Sequence, residues 1–217
     1  MFPFEAWLVP LAPKPATTGN GTPIVLVPGF CCNRGYWASF VRWLRQAGFG
    51  PVYAVSLEPL LGSIEDNATA LGRIVEAVCS DTQSDKVILI GHSMGGLVSR
   101  SYLHSGGHPR IAQVICIGSP HHGTIMARDL RPLGENLRQM TPGSEWVARF
   151  KAHENQPCPA PITAIVTPHD NIVAPQDSAL LHYPNARNVS LPGIGHLEMV
   201  LSKSVFEATA AELRHNP

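Results

Sequence analysis

Charge is scarce in this sequence: Asp, Glu, Lys and Arg make up 15% of its 217 residues, and 16 basic against 16 acidic side chains leave no formal net charge. Without a net field there is no long-range attraction to nucleic acid or to an anionic lipid surface, so a polyanionic partner is not expected. Long apolar runs are missing as well. Stretches such as Val87-Ile88-Leu89-Ile90 fall far short of the roughly 18 residues needed to span a bilayer, which excludes an integral membrane helix. Cysteine is sparse and odd in number: Cys31, Cys32, Cys79, Cys116 and Cys158 do not make a disulfide framework in a chain of this length, and none has metal-ligand spacing. The adjacent Cys31 and Cys32 read as small apolar fillers, and Cys79 and Cys116 as core. The first ten residues carry no basic flank, and Pro3, Glu5 and Pro10 interrupt their apolar stretch, which therefore does not read as a secretory signal. A reducing, cytoplasmic setting is the default expectation, with export left open if a targeting segment lies upstream.

What the sequence does have is apolar content, 44% of residues, enough to bury one sizeable core. One domain over 1–217 is expected. Apolar runs at 24–27, 52–57, 87–90, 111–117, 162–166 and 189–191 read as strands. Between them lie helical patterns: Tyr36, Trp37, Phe40, Val41 and Leu44 up to Gly48; Ile64, Leu71, Ile74, Val75 and Val78 after a Ser63/Asp66 capping pair; and Leu97, Val98 and Tyr102 up to Gly106-Gly107. A last helix carries Val205, Phe206 and Leu213. Strands that lack period-two alternation and take turns with helices predict an α/β architecture: a mostly parallel sheet of about six strands with helices on both faces. Residues 120–161 break the rhythm, with helices expected over 126–140 and 145–151. That insert reads equally as a small cap over a site, its Ile125, Met126, Leu130, Leu133, Leu137 and Trp146 lining an acyl site, or as plain cover for the sheet.

The sharpest chemical signal is Gly91-His92-Ser93-Met94-Gly95, a G-x-S-x-G motif placed after an apolar strand and before a helix. Such a turn strains the serine backbone and leaves no room for side chains at 91 and 95, which is why glycine stands at both. A serine hydroxyl is a weak nucleophile at neutral pH, so Ser93 calls for a base and an orienting acid. Asp170 follows the strand at 162–166, and His196 follows the strand at 189–191, which brings both to the sheet edge where Ser93 sits. The order nucleophile, acid, base separates this set from other Ser-His-Asp arrangements. Glu198 lies too close in sequence to reach the His196 ring, and Asp177 lies past the acid loop. His92 reads as packing beneath the turn. His121 and His122, with Asp129 and His153, are too irregularly spaced for a metal site and read as loop residues, so neither metal nor cofactor is called for.

On these residues the chain resembles a bacterial lipase or esterase of the α/β-hydrolase superfamily. Besides the serine turn, Val27-Pro28-Gly29-Phe30 resembles that family's His-Gly-apolar loop, with Pro28 where many relatives carry histidine. Residues 117–124, Ile-Gly-Ser-Pro-His-His-Gly-Thr, resemble the family's Gly-Thr-Pro-His-x-Gly stretch, and residues 169–175 resemble its acid loop. The resemblance implies the α/β-hydrolase fold and hydrolysis of a small-molecule or lipid carboxylic ester through a Ser93–His196–Asp170 triad and an acyl-enzyme. It also implies an oxyanion hole built from the N–H groups of Phe30 and Met94. Phe30, Ile125, Ile172 and Val173 are the candidate substrate-binding residues. Acyl transfer by the same residues, or a silent binding protein on a hydrolase scaffold, are the competing readings.

Overall fold

In a computed structural model the described residues are 21–215, so the reading of the first ten residues lies outside them. Six strands form one all-parallel sheet: β1 (Ile24–Val27), β2 (Val52–Ala54), β3 (Val87–His92), β4 (Ile111–Ile117), β5 (Ile162–Val166) and β6 (Ala186–Ser190), in the order β2-β1-β3-β4-β5-β6. The order reverses between β1 and β3, and ligands of open α/β sheets bind at the carboxyl ends of strands flanking such a switch point.

The inner strands are apolar on both sides because both sides are covered. Val25, Val27, Leu89, Val114, Cys116, Ala164 and Val166 face one cluster; it is completed by α2 (Ile64–Thr82) and α3 (Met94–Tyr102). Ile24, Leu26, Ile88, Ile90, Ile115, Ile117 and Ile165 face the other, completed by α1 (Ala38–Gln46) and α7 (Lys203–His215). Two strands differ from expectation. β2 stops at Ala54, and β6 begins three residues before the apolar run at 189–191, as a mostly exposed edge strand whose partner β5 sets its register. Capping at Ser63 is realised in full: its hydroxyl accepts from the Asp66 N–H while the Asp66 carboxylate accepts from the Ser63 N–H.

The insert divides. The helix expected over 126–140 is broken into α4 (Ile125–Leu130), a 3-10 turn (Arg131–Leu133) and α5 (Glu135–Gln139). Pro132 and Gly134 are the cause, since proline cannot continue an α-helix and glycine opens the chain. α6 (Glu145–His153) then follows as expected. Leu137, Trp146 and Phe150 are buried in the sheet-covering cluster, whereas Ile125, Met126, Leu130 and Leu133 stay exposed. Among the described residues no helix is long and apolar enough to cross a membrane.

Candidate active site

The turn after β3 is built around missing side chains. A Cβ on Gly91 would lie 2.5 Å from the backbone of Gly95, and one on Gly95 would lie 2.2 Å from the Val27 carbonyl oxygen of β1. Only glycine lets the helix start so close to the sheet. Ser93 takes φ 54°, ψ −125°, a conformation L-residues rarely adopt, and its N–H donates to the Ile117 carbonyl at 2.8 Å. Strain at one residue on a rigid strand-to-helix junction projects the serine hydroxyl from the sheet edge.

Asp170 and His196 arrive at the same edge. The His196 Nδ1–H donates to Asp170 Oδ2 at 2.8 Å, and both side chains are buried. Asp170 Oδ1 accepts from the N–H groups of Ile172 (2.9 Å) and Val173 (2.7 Å), so neither oxygen lacks a donor. Burial pushes the Asp170 carboxyl up, but the bond and charge of His196 with those two N–H groups outweigh it and hold the group below its ordinary range. With Nδ1 engaged, the imidazole presents Nε2 on its far side as an acceptor.

Gly118 joins the serine to this pair. It follows Ile117, whose carbonyl holds Ser93, and a Cβ there would come 3.4 Å from His196 Nδ1 and 3.5 Å from Asp170 Oδ2. Ser93, Asp170 and His196 thus follow the carboxyl ends of β3, β5 and β6, with Gly118 after β4 touching the elements of all three. The loop after β1 closes the other side: a Cβ on Gly29, the residue before Phe30, would touch Ser93 Cβ at 3.0 Å, and Met94 opens α3, where the first N–H groups of a helix have no intrahelical partner.

His92 is buried beneath the turn, as expected. Its Nε2–H donates to the His196 carbonyl at 3.1 Å, its ring packs 4.8 Å from the His196 ring, and burial followed by the neighbouring His196 lowers its pKa to about 3. Glu198 reaches back to the Gly195 N–H and not to the His196 ring. Asp177 lies in a 3-10 turn at Gln176–Ala179. Of the expected substrate-binding residues, Phe30 and Ile172 are partly buried and Ile125 is exposed, its N–H bonded to Ala174 in the acid loop at 2.9 Å. Val173 differs: at 0% exposure its side chain belongs to the core, and what it gives the site is its N–H to Asp170.

Two positioning contacts escape a reading by motif. Asn171 Oδ1 accepts from the His196 N–H at 3.2 Å, and Thr167 Oγ1 donates to the Ile194 carbonyl at 3.0 Å, tying the acid loop to the base loop. An Asn directly after the acid was the available signal. The histidines grouped in sequence do not stay together. His121 is buried against Arg100, His153 stacks on His104, Asp129 is exposed, and His122 instead meets Glu154 and His182. Arg100, at 0% exposure on α3, is the residue composition gave no reason to notice. It bonds Glu154 at 2.8 Å and the Tyr183 hydroxyl at 3.0 Å.

A family model described as "PGAP1-like alpha/beta domain" matches residues 62–167. The chain is 32% identical over 131 residues to a triacylglycerol lipase of Burkholderia plantarii, covering 54% of this chain and 36% of that protein. It is 34% identical over 113 residues to a triacylglycerol lipase of Pseudarthrobacter phenanthrenivorans, covering 48% and 35%. The chain thus spans about a third of the length of these curated relatives. Among solved structures, Aspergillus fumigatus lipase B superposes with a TM-score of 0.80 at 21% identity over 93% of this chain and 55% of that one. The mature form of Bacillus licheniformis lipase BlEst2 gives 0.78 at 19% identity over 89% and 92%.

Proposed function

We propose, from the premise that this chain has the α/β-hydrolase fold shared with lipases and esterases, that it hydrolyses carboxylic esters with Ser93 as nucleophile, His196 as general base and acid, and Asp170 as the group that orients and stabilises the imidazolium. What supports this reading is a buried, hydrogen-bonded Asp170–His196 pair on the same sheet edge as a strained serine.

In this mechanism His196 Nε2 takes the Ser93 proton as the hydroxyl oxygen attacks the ester carbonyl. The resulting oxyanion is met by the N–H groups of Phe30 and Met94, each contributing about 3 kcal/mol to the transition state. His196 returns the proton to the departing alcohol, and water repeats the sequence on the acyl-enzyme. Exposed Ile125, Met126, Leu130 and Leu133, on the segment anchored to the acid loop, support an apolar acyl group as the substrate's distinguishing part.

Replacing Ser93 by Ala is expected to reduce turnover of a p-nitrophenyl ester by about five to six orders of magnitude with the fold intact. Retained turnover rejects the nucleophile. Within an acetate-to-octanoate series, kcat/KM is expected to hold or rise with chain length; a steep fall rejects the apolar acyl site.

A further inference from the structure

A second chemical centre lies away from Ser93, on the side of the sheet covered by α3 and α6. Three segments distant in sequence meet there: the loop after β4 supplies His122, the residue after α6 supplies Glu154, and the loop before β6 supplies His182. Glu154 Oε2 lies 3.4 Å from His122 Nε2 and 3.7 Å from His182 Nδ1, and the three ligand atoms fall within 4.8 Å of one another. The imidazole rings stack with centroids 4.8 Å apart and planes 22° from parallel.

What sets this group apart from a chance surface cluster is the carboxylate. Its side chain is 3% exposed, and Arg100 Nη2 bonds one oxygen, Oε1, at 2.8 Å. The other oxygen, Oε2, is buried with no hydrogen bond of normal geometry; the two rings face it, and the His182 backbone N–H also reaches the carboxylate. A buried carboxylate oxygen without a donor is costly, so the fold keeps it there only at the expense of stability unless something cationic meets it. Arg100 already neutralises the carboxylate and fixes its orientation, the kind of outer support that ligating carboxylates receive.

We propose that His122, Glu154 and His182 form a binding site for a divalent transition-metal ion, zinc being the best match, that clips the insert to the sheet. Imidazole and carboxylate donors suit zinc, whose tetrahedral bonds of about 2.1 Å separate neighbouring ligand atoms by roughly 3.4 Å. The two carboxylate-to-ring separations of 3.4 and 3.7 Å are close to that figure, and the two ring nitrogens, within 4.8 Å of each other, draw together as the exposed His182 ring turns onto the ion. His122 Nε2–H donates to the Leu180 carbonyl at 3.1 Å; moving the ring proton to Nδ1 frees the Nε2 lone pair for the ion without charging the ring. His182, 58% exposed, leaves the site open to entry from solvent and a fourth position for water. The clip is distinct from ester chemistry: it joins α6 to the loop after β4, whose His122 N–H also donates to Ser178 at 2.9 Å.

The test is uptake of Zn²⁺ by the full chain after chelator treatment, read by calorimetry and melting temperature, with Co²⁺ absorption as a second probe of coordination. The wild-type chain is expected to take up one saturating Zn²⁺ at this site with a rise in Tm, and to give the visible bands of low-coordinate Co²⁺. His182→Ala, which removes an exposed ring, is expected to keep the metal-free Tm and ester turnover while weakening Zn²⁺ binding by about tenfold or more. Absence of saturable uptake by the wild-type chain overturns the proposal, as does Zn²⁺ affinity or Co²⁺ absorption left unchanged in His182→Ala.

Discussion

The molecule holds two buried acid–base pairs with the same 2.8 Å contact, Asp170–His196 at the carboxyl ends of the strands and Glu154–Arg100 between α3 and α6. Around Asp170 every acceptor is used: two backbone N–H groups take one oxygen and the imidazole the other. Around Glu154 one oxygen is bonded by Arg100 and its twin has no hydrogen bond of normal geometry. A completed carboxylate serves its partner, keeping an imidazole oriented. A half-completed one keeps a coordination position in reserve. Buried charge alone therefore does not tell the two pairs apart; the accounting of lone pairs does.

That contrast can be broken most severely at Asp170. Asp170→Asn is expected to cost about four orders of magnitude in kcat while the melting temperature stays close to wild type, because the amide oxygen still accepts from Ile172 and Val173 while its NH₂ group presents the wrong tautomer demand to His196. Ester kinetics and thermal denaturation of one preparation check both halves; an equal loss in stability would make Asp170 structural. At the other pair the balance is reversed. Arg100→Met leaves an uncompensated carboxylate in the interior and is expected to remove about 3–5 kcal/mol of stability, read from urea denaturation, with fluorophosphonate labelling of Ser93 preserved in whatever fraction stays folded.

The smallest expected effect is on pH. His92 faces the His196 ring, the Asp170 carboxylate and the Tyr36 ring, and its folded pKa of about 3 lies below its ordinary value of 6.5. A depressed folded pKa means the unfolded chain binds the proton first. The stability His92 contributes is thus fully present above pH 6.5 and is lost as pH falls from 6.5 towards 3, on the order of 1 kcal/mol per pH unit. A Tm series from pH 7.5 to 4.5, in wild type and in His92→Asn, is expected to show a shallower decline in the variant.

How legible each region was in the sequence follows the same division. The serine turn was readable because its geometry admits only glycine at 91 and 95, so a backbone requirement is written directly as residue identity. The bonded Asp170–His196 pair was readable from the order of the two residues and from the strands before them. The parallel sheet with helices on both faces followed from apolar runs covered on two faces, whereas the strand order and the bounds of β2 and β6 did not, since pairing with a neighbour and not local pattern decides where an edge strand starts. Pro132 and Gly134 carried a readable signal for the broken helix, outweighed there by apolar spacing. The Arg100 centre was illegible for a different reason. Its members lie 21 to 83 residues from Arg100, on elements whose docking no periodicity reports, and arginine on a helix ordinarily points to solvent.

Helix α3 begins at Met94, immediately after the serine. The carbonyl oxygen of Val27 occupies the space that a side chain at Gly95 would need, and further along the guanidinium of Arg100 is caged by Glu154, Tyr183 and His121. In mechanical terms the serine rides on a shaft held by a bearing at one end and a bolt at the other, able neither to slide nor to roll. On the proposed ester chemistry, tolerance for bulkier acyl groups, in natural drift or in laboratory selection, would come from the walls at Phe30, Ile125 and Ile172 and not from repositioning Ser93.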